Sequence, residues 1–339
     1  MIRLRLAAAL ALACLAATRL PAQTQLLGFA DVQARSSDDP NDHSSFFLGQ
    51  YVAHVHGHMA KDWTFLGESV FEVDPATGEF SVDVERIIIG WSPSDQFQFS
   101  VGKEHSPIGA WNNTYHHGTL FQPTITRPLL VQFEDDGGIL PVHSLGMRAA
   151  GHEISKAHLG YDVMLANGTG GTADGDNNNS KAIFGSVFAE PLSGIRVGLS
   201  AYTDHLTTGT ATLGGGTLAA DMDQTAFGGF AVFDRGALQL HGEVMQISNK
   251  TLGATTGNTG AFVYAGYRVR TTWVPYALYE FINYDAADPY FATDDYRQGI
   301  LGLRHDISSM LVIKVEYHNR HTTLTGTVNE AAAQIAVGF

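Results

Sequence analysis

The sequence predicts an all-β fold: a closed antiparallel transmembrane β-barrel of 16 strands, with 14 or 18 strands as alternatives. Three observations predict it. Segments of alternating apolar and polar residues recur along the chain, short and long connections alternate between them, and no apolar stretch after residue 22 could form a membrane-spanning helix. A soluble β-sandwich has the same strand period, so the connections carry most of the argument.

Residues 1–22 have the features of a secretory signal peptide. Arg3 and Arg5 precede a short apolar run, and Ala22 is a small residue suited to cleavage. The run is too short to remain as a membrane span. We therefore expect a signal peptide at 1–22 and an outer-membrane barrel at 23–339.

Cleavage after residue 22 would leave 317 of the 339 residues and remove the only cysteine, Cys14. The remaining chain could form neither disulfides nor thiolate metal sites. It would keep 17 of the 20 basic residues against 34 acidic ones. Such an acidic chain is unsuited to nucleic acid, because phosphate contacts need clustered Lys and Arg.

Sixteen segments show the alternation of a half-buried strand. In the segment 311–318, for example, Val315 and Tyr317 share an apolar face, and Lys314, Glu316 and His318 share a polar one. The segments cover approximately 26–35, 44–58, 63–74, 79–91, 96–104, 144–152, 158–167, 181–190, 195–204, 223–233, 237–248, 260–270, 274–284, 295–305, 309–320 and 330–339.

For almost the whole chain the connections alternate as they do in outer-membrane barrels, with tight turns at one rim and extended loops at the other. One connection on the long side, 75–78, is itself short. We expect long connections at 36–43, 105–143, 168–180, 205–222, 249–259, 285–294 and 321–329. The final segment ends in Phe339, which resembles the C-terminal aromatic signal of outer-membrane barrels. This resemblance implies that the barrel-assembly machinery recognises Phe339.

Residues 105–143 form the longest connection and follow the fifth strand. A loop of this length in a compact fold usually has a function. In general porins the loop at this place folds inward and narrows the pore. We therefore expect 105–143 to be an inward-folded constriction loop.

The same region carries a family resemblance. The segment Gly102-Lys103-Glu104-His105-Ser106-Pro107-Ile108-Gly109-Ala110-Trp111-Asn112, followed by Arg127-Pro128, Gly138 and Gly146, resembles porins related to the phosphate-selective porin O and P family. The resemblance covers about 45 residues and implies a trimeric, solute-conducting barrel of 16 strands. It does not imply phosphate transport, because the chain is poor in the Arg and Lys that a phosphate pathway needs.

Charged residues in a barrel belong in the lumen, where rings of charge set selectivity. Six basic residues fall on predicted lumen faces: Lys103, Arg148, Arg196, Arg268, Arg270 and Lys314. Glu134, Asp135 and Asp136 place acid in the predicted constriction. The hypothesis is a constriction with acidic loop residues opposite a basic wall, which would favour small polar solutes with at most a mild preference for cations.

We expect an outer-membrane porin of a Gram-negative cell, embedded in lipid, which passes small hydrophilic solutes by diffusion without a cofactor. Alternatives are a substrate-specific channel, a barrel enzyme, and a plugged structural or adhesive barrel. The chain has no Gly-x-Ser-x-Gly or His-Glu-x-x-His motif, so the sequence favours no enzyme. His54, His56 and His58 share one strand face, which suits either a metal ion or a polar lumen wall.

Overall fold

A computed structural model describes residues 24–73, 78–115, 118–133, 137–172, 174–291 and 293–339. The predicted signal peptide and the predicted acidic residues Glu134, Asp135 and Asp136 lie outside the described residues. In the described part, no helix is long and apolar enough to cross a membrane.

The described residues form sixteen strands, one short α-helix and a single 3-10 turn at Leu129–Val131. The elements are β1 (Thr24–Ser37), β2 (Ser45–Ala60), β3 (Trp63–Val73), β4 (Phe80–Ser94), β5 (Phe97–His105), α1 (Trp111–Tyr115), β6 (His143–Ile154), β7 (Leu159–Ala166), β8 (Ala182–Leu192), β9 (Ile195–Leu206), β10 (Met222–Arg235), β11 (Leu238–Thr251), β12 (Ala254–Tyr267), β13 (Trp273–Asn283), β14 (Tyr296–Ser308), β15 (Leu311–Thr322) and β16 (Gly326–Gly338).

Each strand pairs with its neighbour in sequence, and β1 pairs antiparallel with β16 to close the barrel. At this seam the N–H of Gly28 donates to the carbonyl of Phe339 at 2.8 Å, and Phe339 donates back at 3.0 Å. Closure removes the free sheet edges that hydrocarbon cannot hydrogen-bond. The predicted 16-stranded antiparallel barrel is confirmed.

The predicted and observed strand boundaries differ most at β12. This strand begins at Ala254, six residues before the predicted start at 260. Its first residues, from Ala254 to Thr259, are small or polar and show no apolar alternation. They are nonetheless paired with β11, as in Lys250 opposite Thr255. The expected long connection at 249–259 is therefore a tight turn, and β15 and β16 are likewise joined by the short connection 323–325.

The outer face of the barrel is apolar. Val197 and Leu199 of β9 and Val315 and Tyr317 of β15 are each more than 40% exposed. Their neighbours along the strand, such as Ser200, are buried and point inward. This arrangement gives the wall one face for lipid and one for the lumen.

Two rims follow from the connections. The short-turn rim contains seven connections, 61–62, 95–96, 155–158, 193–194, 236–237, 268–272 and 309–310, together with the start of β1 and the end of β16. The long-loop rim contains the others, including 167–181 and 207–221. Trp63 and Trp91 stack at the short-turn rim with ring centroids 6.2 Å apart, which suits the aromatic belt of a membrane interface.

Half of the inner face is rich in apolar side chains beside polar ones, which the simple alternation rule does not predict. From β7 to β14 the inward residues include a buried cluster that also takes in apolar residues of the connection between β5 and β6. The wall members of this cluster include Met164, Phe184, Tyr202, Met245, Ile247, Phe262, Tyr264, Leu278 and Ile282. The connection contributes Ile108, Trp111, Leu130, Val131, Ile139 and Leu140.

Candidate functional site

The connection between β5 and β6, residues 106–142, is called the constriction loop below, and its described residues, 106–115, 118–133 and 137–142, lie inside the barrel. The first contact that places it there is with Glu243, a buried lumen residue of β11. Oε1 of Glu243 accepts the N–H groups of Ala110 at 2.9 Å and Trp111 at 2.6 Å, at the start of α1. The carboxylate thus satisfies two donors that have no partner within the helix.

Two further wall glutamates hold the loop in the same way. Glu280 of β13 accepts the N–H of Leu129 at 2.6 Å, and Glu316 of β15 accepts the N–H of Ile125 at 2.8 Å. Both are buried, as is Glu243. The three carboxylates therefore stand on alternate strands, β11, β13 and β15, and fasten three separate parts of the loop backbone to the wall.

Two basic side chains of the wall, Lys314 and Arg304, hold the loop through its carbonyl groups. Lys314 is fully buried, and its Nζ donates to the carbonyls of Thr119 at 2.6 Å and Thr124 at 3.0 Å and to Oε1 of Gln334 at 2.9 Å. Arg304 donates to the carbonyl of Gln122 at 3.0 Å. With donors and acceptors both satisfied, the loop can be buried in the lumen without losing backbone hydrogen bonds.

The residues that carry the family resemblance form the internal frame of the loop. Nδ2 of Asn112 donates to the carbonyls of Ser106 at 3.1 Å and Val142 at 3.0 Å, which joins the two ends of the loop. Arg127 donates to Oδ1 of Asn112 at 3.2 Å and to the carbonyl of Val131 at 2.8 Å. The Trp-Asn and Arg-Pro parts of the motif thus meet in space although 15 residues separate Asn112 from Arg127.

Trp111 fixes the loop against the apolar half of the wall. Its ring is fully buried and lies 5.4 Å from the ring of Phe262 and 5.2 Å from the ring of His241. His241 in turn lies 2.8 Å from Glu243 through its Nε2. The apolar packing and the carboxylate anchor therefore act on the same turn of the loop.

Three arginines stand on the wall strands from β4 to β9. Arg86 contacts Glu68, and Arg148 contacts Asp162 and lies 3.3 Å from Glu104. The carboxylates of Glu68 and Glu104 are 0% and 4% exposed, whereas the guanidinium side chains of Arg86 and Arg148 are 18% and 21% exposed. The basic partner of each pair therefore faces the open lumen, and the acidic partner lies behind it.

Arg196 is the most exposed of the three arginines, at 30% of its side chain. Its guanidinium lies 3.7 Å from the ring centroid of Phe188, a cation–π contact, and 3.5 Å from the carboxylate of Glu190. All three arginines line a cavity of about 560 Å³ that also touches Gly109 and Asn113 of the constriction loop. A second cavity, of about 400 Å³, lies toward the long-loop rim and is lined by Arg35, Arg127 and Arg320.

The structure gives different surroundings to the other sequence-predicted basic residues. Nζ of Lys103 lies 3.3 Å from the carboxylate of Asp83. Arg268 follows the end of β12 and lies 3.0 Å from Asp306. Arg270 is exposed in the turn before β13. Lys314, as described above, holds the loop.

His54, His56 and His58 lie on one strand but contact different groups. Nε2 of His54 lies 2.9 Å from Glu68, and the rings of His56 and His58 contact each other at 5.7 Å. Among the described residues, no group of three or more His, Cys, Asp and Glu side chains is placed to hold a metal ion.

Sequence reasoning missed the anchors Glu243, Glu280 and Glu316 as loop-binding residues. For two of them a signal exists: Glu243 and Glu280 are acidic residues on the lumen faces of strands that also direct apolar residues inward, such as Met245 beside Glu243. A carboxylate in such surroundings needs hydrogen-bond donors, and an inward loop supplies them.

No protein-family model matches the chain, and no curated protein matches it in sequence. Solved structures match over 93% of the chain. They include an anion-selective porin from Comamonas acidovorans (14% identity, 99% of that chain, TM-score 0.66), OmpF of Salmonella typhi in complex with daunomycin (15%, 97%, 0.66), and the trimer form of OmpT, an outer membrane protein of Vibrio cholerae (14%, 99%, 0.65).

The chain has a porin-type barrel fold. At these identities the similarity concerns architecture, because side chains in the lumen are free to differ between barrels of one fold. Similarity at this level does not extend to membership in the phosphate-selective porin group that the motif resembles.

Proposed function

We propose that this protein is an outer-membrane porin through which small hydrophilic solutes and ions diffuse passively. The observation that carries the proposal is a closed barrel with an apolar outside, a polar passage beside Arg86, Arg148 and Arg196, and a loop fastened inside by wall carboxylates. A barrel of 16 strands is wide enough for an aqueous channel. Such a channel needs no cofactor and no catalytic group.

The loop covers the apolar half of the lumen, so solutes pass along the other half. There the guanidinium groups of Arg148 and Arg196 face the cavity, and their charges act at short range in a narrow pore. We propose that the acidic residues Glu134, Asp135 and Asp136 of the loop act opposite this basic wall. The resulting transverse field would favour small polar solutes over apolar ones.

Phosphate selectivity is a weaker candidate than general diffusion. A phosphate pathway would need basic groups whose charge is not already balanced, yet Arg86 and Arg148 both have buried carboxylate partners. Arg196 keeps more of its charge available, since Glu190 is 45% exposed and screened by water. A substrate-specific channel therefore remains the second candidate, with Arg196 as its strongest support.

We further propose that the protein is a homotrimer in the outer membrane, exported with a cleaved signal peptide. The outward residues around the β1–β16 seam include Ala30, Ala34, Ala331 and Ala333, which would allow another copy to approach closely. The trimer form of the Vibrio cholerae protein has the same fold. Phe339, beside the seam, is proposed as the contact for the assembly machinery.

Single-channel recording in a planar bilayer tests the proposal. The purified mature protein should give stable, stepwise conductance, and its unheated form should migrate as a trimer in detergent electrophoresis. A salt gradient would give the sign of the ion selectivity. A correctly folded barrel that never conducts would contradict the porin proposal and favour a plugged, adhesive or enzymatic barrel.

A further inference from the structure

A third, smaller cavity lies between the constriction loop and the strands β10–β14, toward the short-turn rim. It has a volume of about 240 Å³, which suits one small molecule. On the loop side it is lined by Trp111 and Tyr115, and on the wall side by His241 and Tyr264. We call it the aromatic cavity.

The apolar surfaces of the aromatic cavity are ring faces and edges. The rings of Trp111 and Tyr115 meet edge to face with centroids 4.9 Å apart, and Tyr264 lies 6.3 Å from Trp111. Rings arranged in this way accept a further aromatic ring, stacked or edge to face, better than they accept a flexible aliphatic chain.

The polar end of the aromatic cavity is basic. Arg268 and Arg304 both line it, and both direct N–H groups to one carboxylate, that of Asp306, at 3.0 Å and 2.6 Å. Two guanidinium groups that share one carboxylate leave an excess of positive charge. Asp234, an exposed residue, lines another part of the cavity and would repel a solute with a second negative charge.

Two buried polar atoms belong to residues that line this cavity. Nε1 of Trp111 and Nδ1 of His241 have no hydrogen-bond partner among the described residues, although both side chains are more than nine-tenths buried. Both atoms are enclosed by protein, so the groups open to a solute in the cavity are the ring faces and the guanidinium groups.

We propose that the aromatic cavity binds small aromatic monocarboxylates, with benzoate as the simplest example. The ring packs against Trp111, Tyr115 and Tyr264, and the carboxylate accepts N–H groups of Arg268 and Arg304. This inference rests on the proposed function for the route by which the solute reaches the cavity. It makes the barrel a channel with a weak selective site beside the passage.

Isothermal titration of the folded protein in detergent tests the proposal independently of conduction. The probes are benzoate, cyclohexanecarboxylate, which lacks the aromatic ring, and benzamide, which lacks the charge. Benzoate should bind once per chain, and each comparison compound about tenfold more weakly. Neutral benzamide also reveals any uptake of aromatic compounds by the detergent.

Two variants and one control locate the site. Arg268→Gln should weaken benzoate binding about tenfold, which is the usual effect of losing a hydrogen bond to a charged group. Tyr115→Leu should weaken benzoate more than cyclohexanecarboxylate. Arg235→Gln removes the same charge at the same rim without touching the cavity and should leave binding unchanged.

The possible results separate this proposal from the porin proposal. If the barrel conducts potassium chloride but does not bind benzoate, the aromatic site is wrong and the porin proposal stands. If benzoate binds to a barrel that never conducts, the porin proposal is wrong and the aromatic site stands. Equal losses in Arg268→Gln and Arg235→Gln would reveal general electrostatic attraction and would also overturn the site.

Discussion

A side chain at Gly109 would place its Cβ only 1.9 Å from Oε2 of Glu243, so the loop backbone can reach its carboxylate anchor only because residue 109 is glycine. Gly109 also has φ +65°, which other residues adopt at a cost. Its N–H donates to Oγ of Ser200 at 3.1 Å. The Pro-x-Gly element that carries the family resemblance thus has a steric role in this barrel.

Replacing Gly109 with alanine should release the first turn of the loop from β11. The new methyl group forces Glu243 away from the N–H groups of Ala110 and Trp111. We expect the barrel to fold, because its strand pairs are untouched, with larger and noisier single-channel currents. Gly236→Ala is the matched control, since Gly236 has the same φ of +65° but no atom near its Cβ position. Equal currents in both variants would contradict a role of Glu243 in holding the loop.

Lys314→Met should free the middle of the constriction loop. The variant leaves the carbonyls of Thr119 and Thr124 without their donor, and each unpaired buried acceptor costs about 1–3 kcal/mol. We expect a lower thermal midpoint, measured by heat-dependent migration in detergent electrophoresis, together with a larger conductance. Lys181→Met removes an exposed lysine that is paired with Asp176 and should change neither quantity. An unaltered midpoint in Lys314→Met would contradict the anchoring role.

The strands could be predicted from the sequence because lipid imposes a period of two on their outer face. In β15, for instance, Val315 and Tyr317 point outward at the predicted positions. The prediction failed for the first residues of β12, which extend beyond the apolar part of the wall and show no such period. Hydrogen bonds to β11, as between Lys250 and Thr255, form that part of the strand.

The position of the constriction loop could be predicted, but its attachment could not. The sequence marks Lys314 as a lumen residue, whereas its burial under the loop depends on contacts with residues nearly 200 positions away. The same is true of Glu316, whose partner Ile125 is 191 positions distant. Contacts of this kind follow from the closed barrel and leave no local pattern in the chain.

Arg196→Gln should shift the ion selectivity toward cations. At about 8 Å in water a unit charge contributes about 0.5 kcal/mol, which corresponds to roughly a twofold change in the permeability ratio. The reversal potential in a tenfold gradient of potassium chloride measures it. Arg235→Gln, an exposed arginine at the end of β10, is the control for net charge. A shift of the same size in the control would mean that Arg196 has no special place beside the passage.

Replacing Glu134, Asp135 and Asp136 together with their amides should shift the selectivity in the opposite direction, toward anions. If the three acids face the basic wall across the passage, their loss leaves the charge of Arg148 and Arg196 unopposed where screening is weakest. The shift should shrink as the salt concentration rises, since the Debye length falls from about 10 Å at 0.1 M to about 3 Å at 1 M. A reversal potential equal to that of the unaltered protein at both concentrations would place the three acids away from the ion path and leave the arginines as the main local charges.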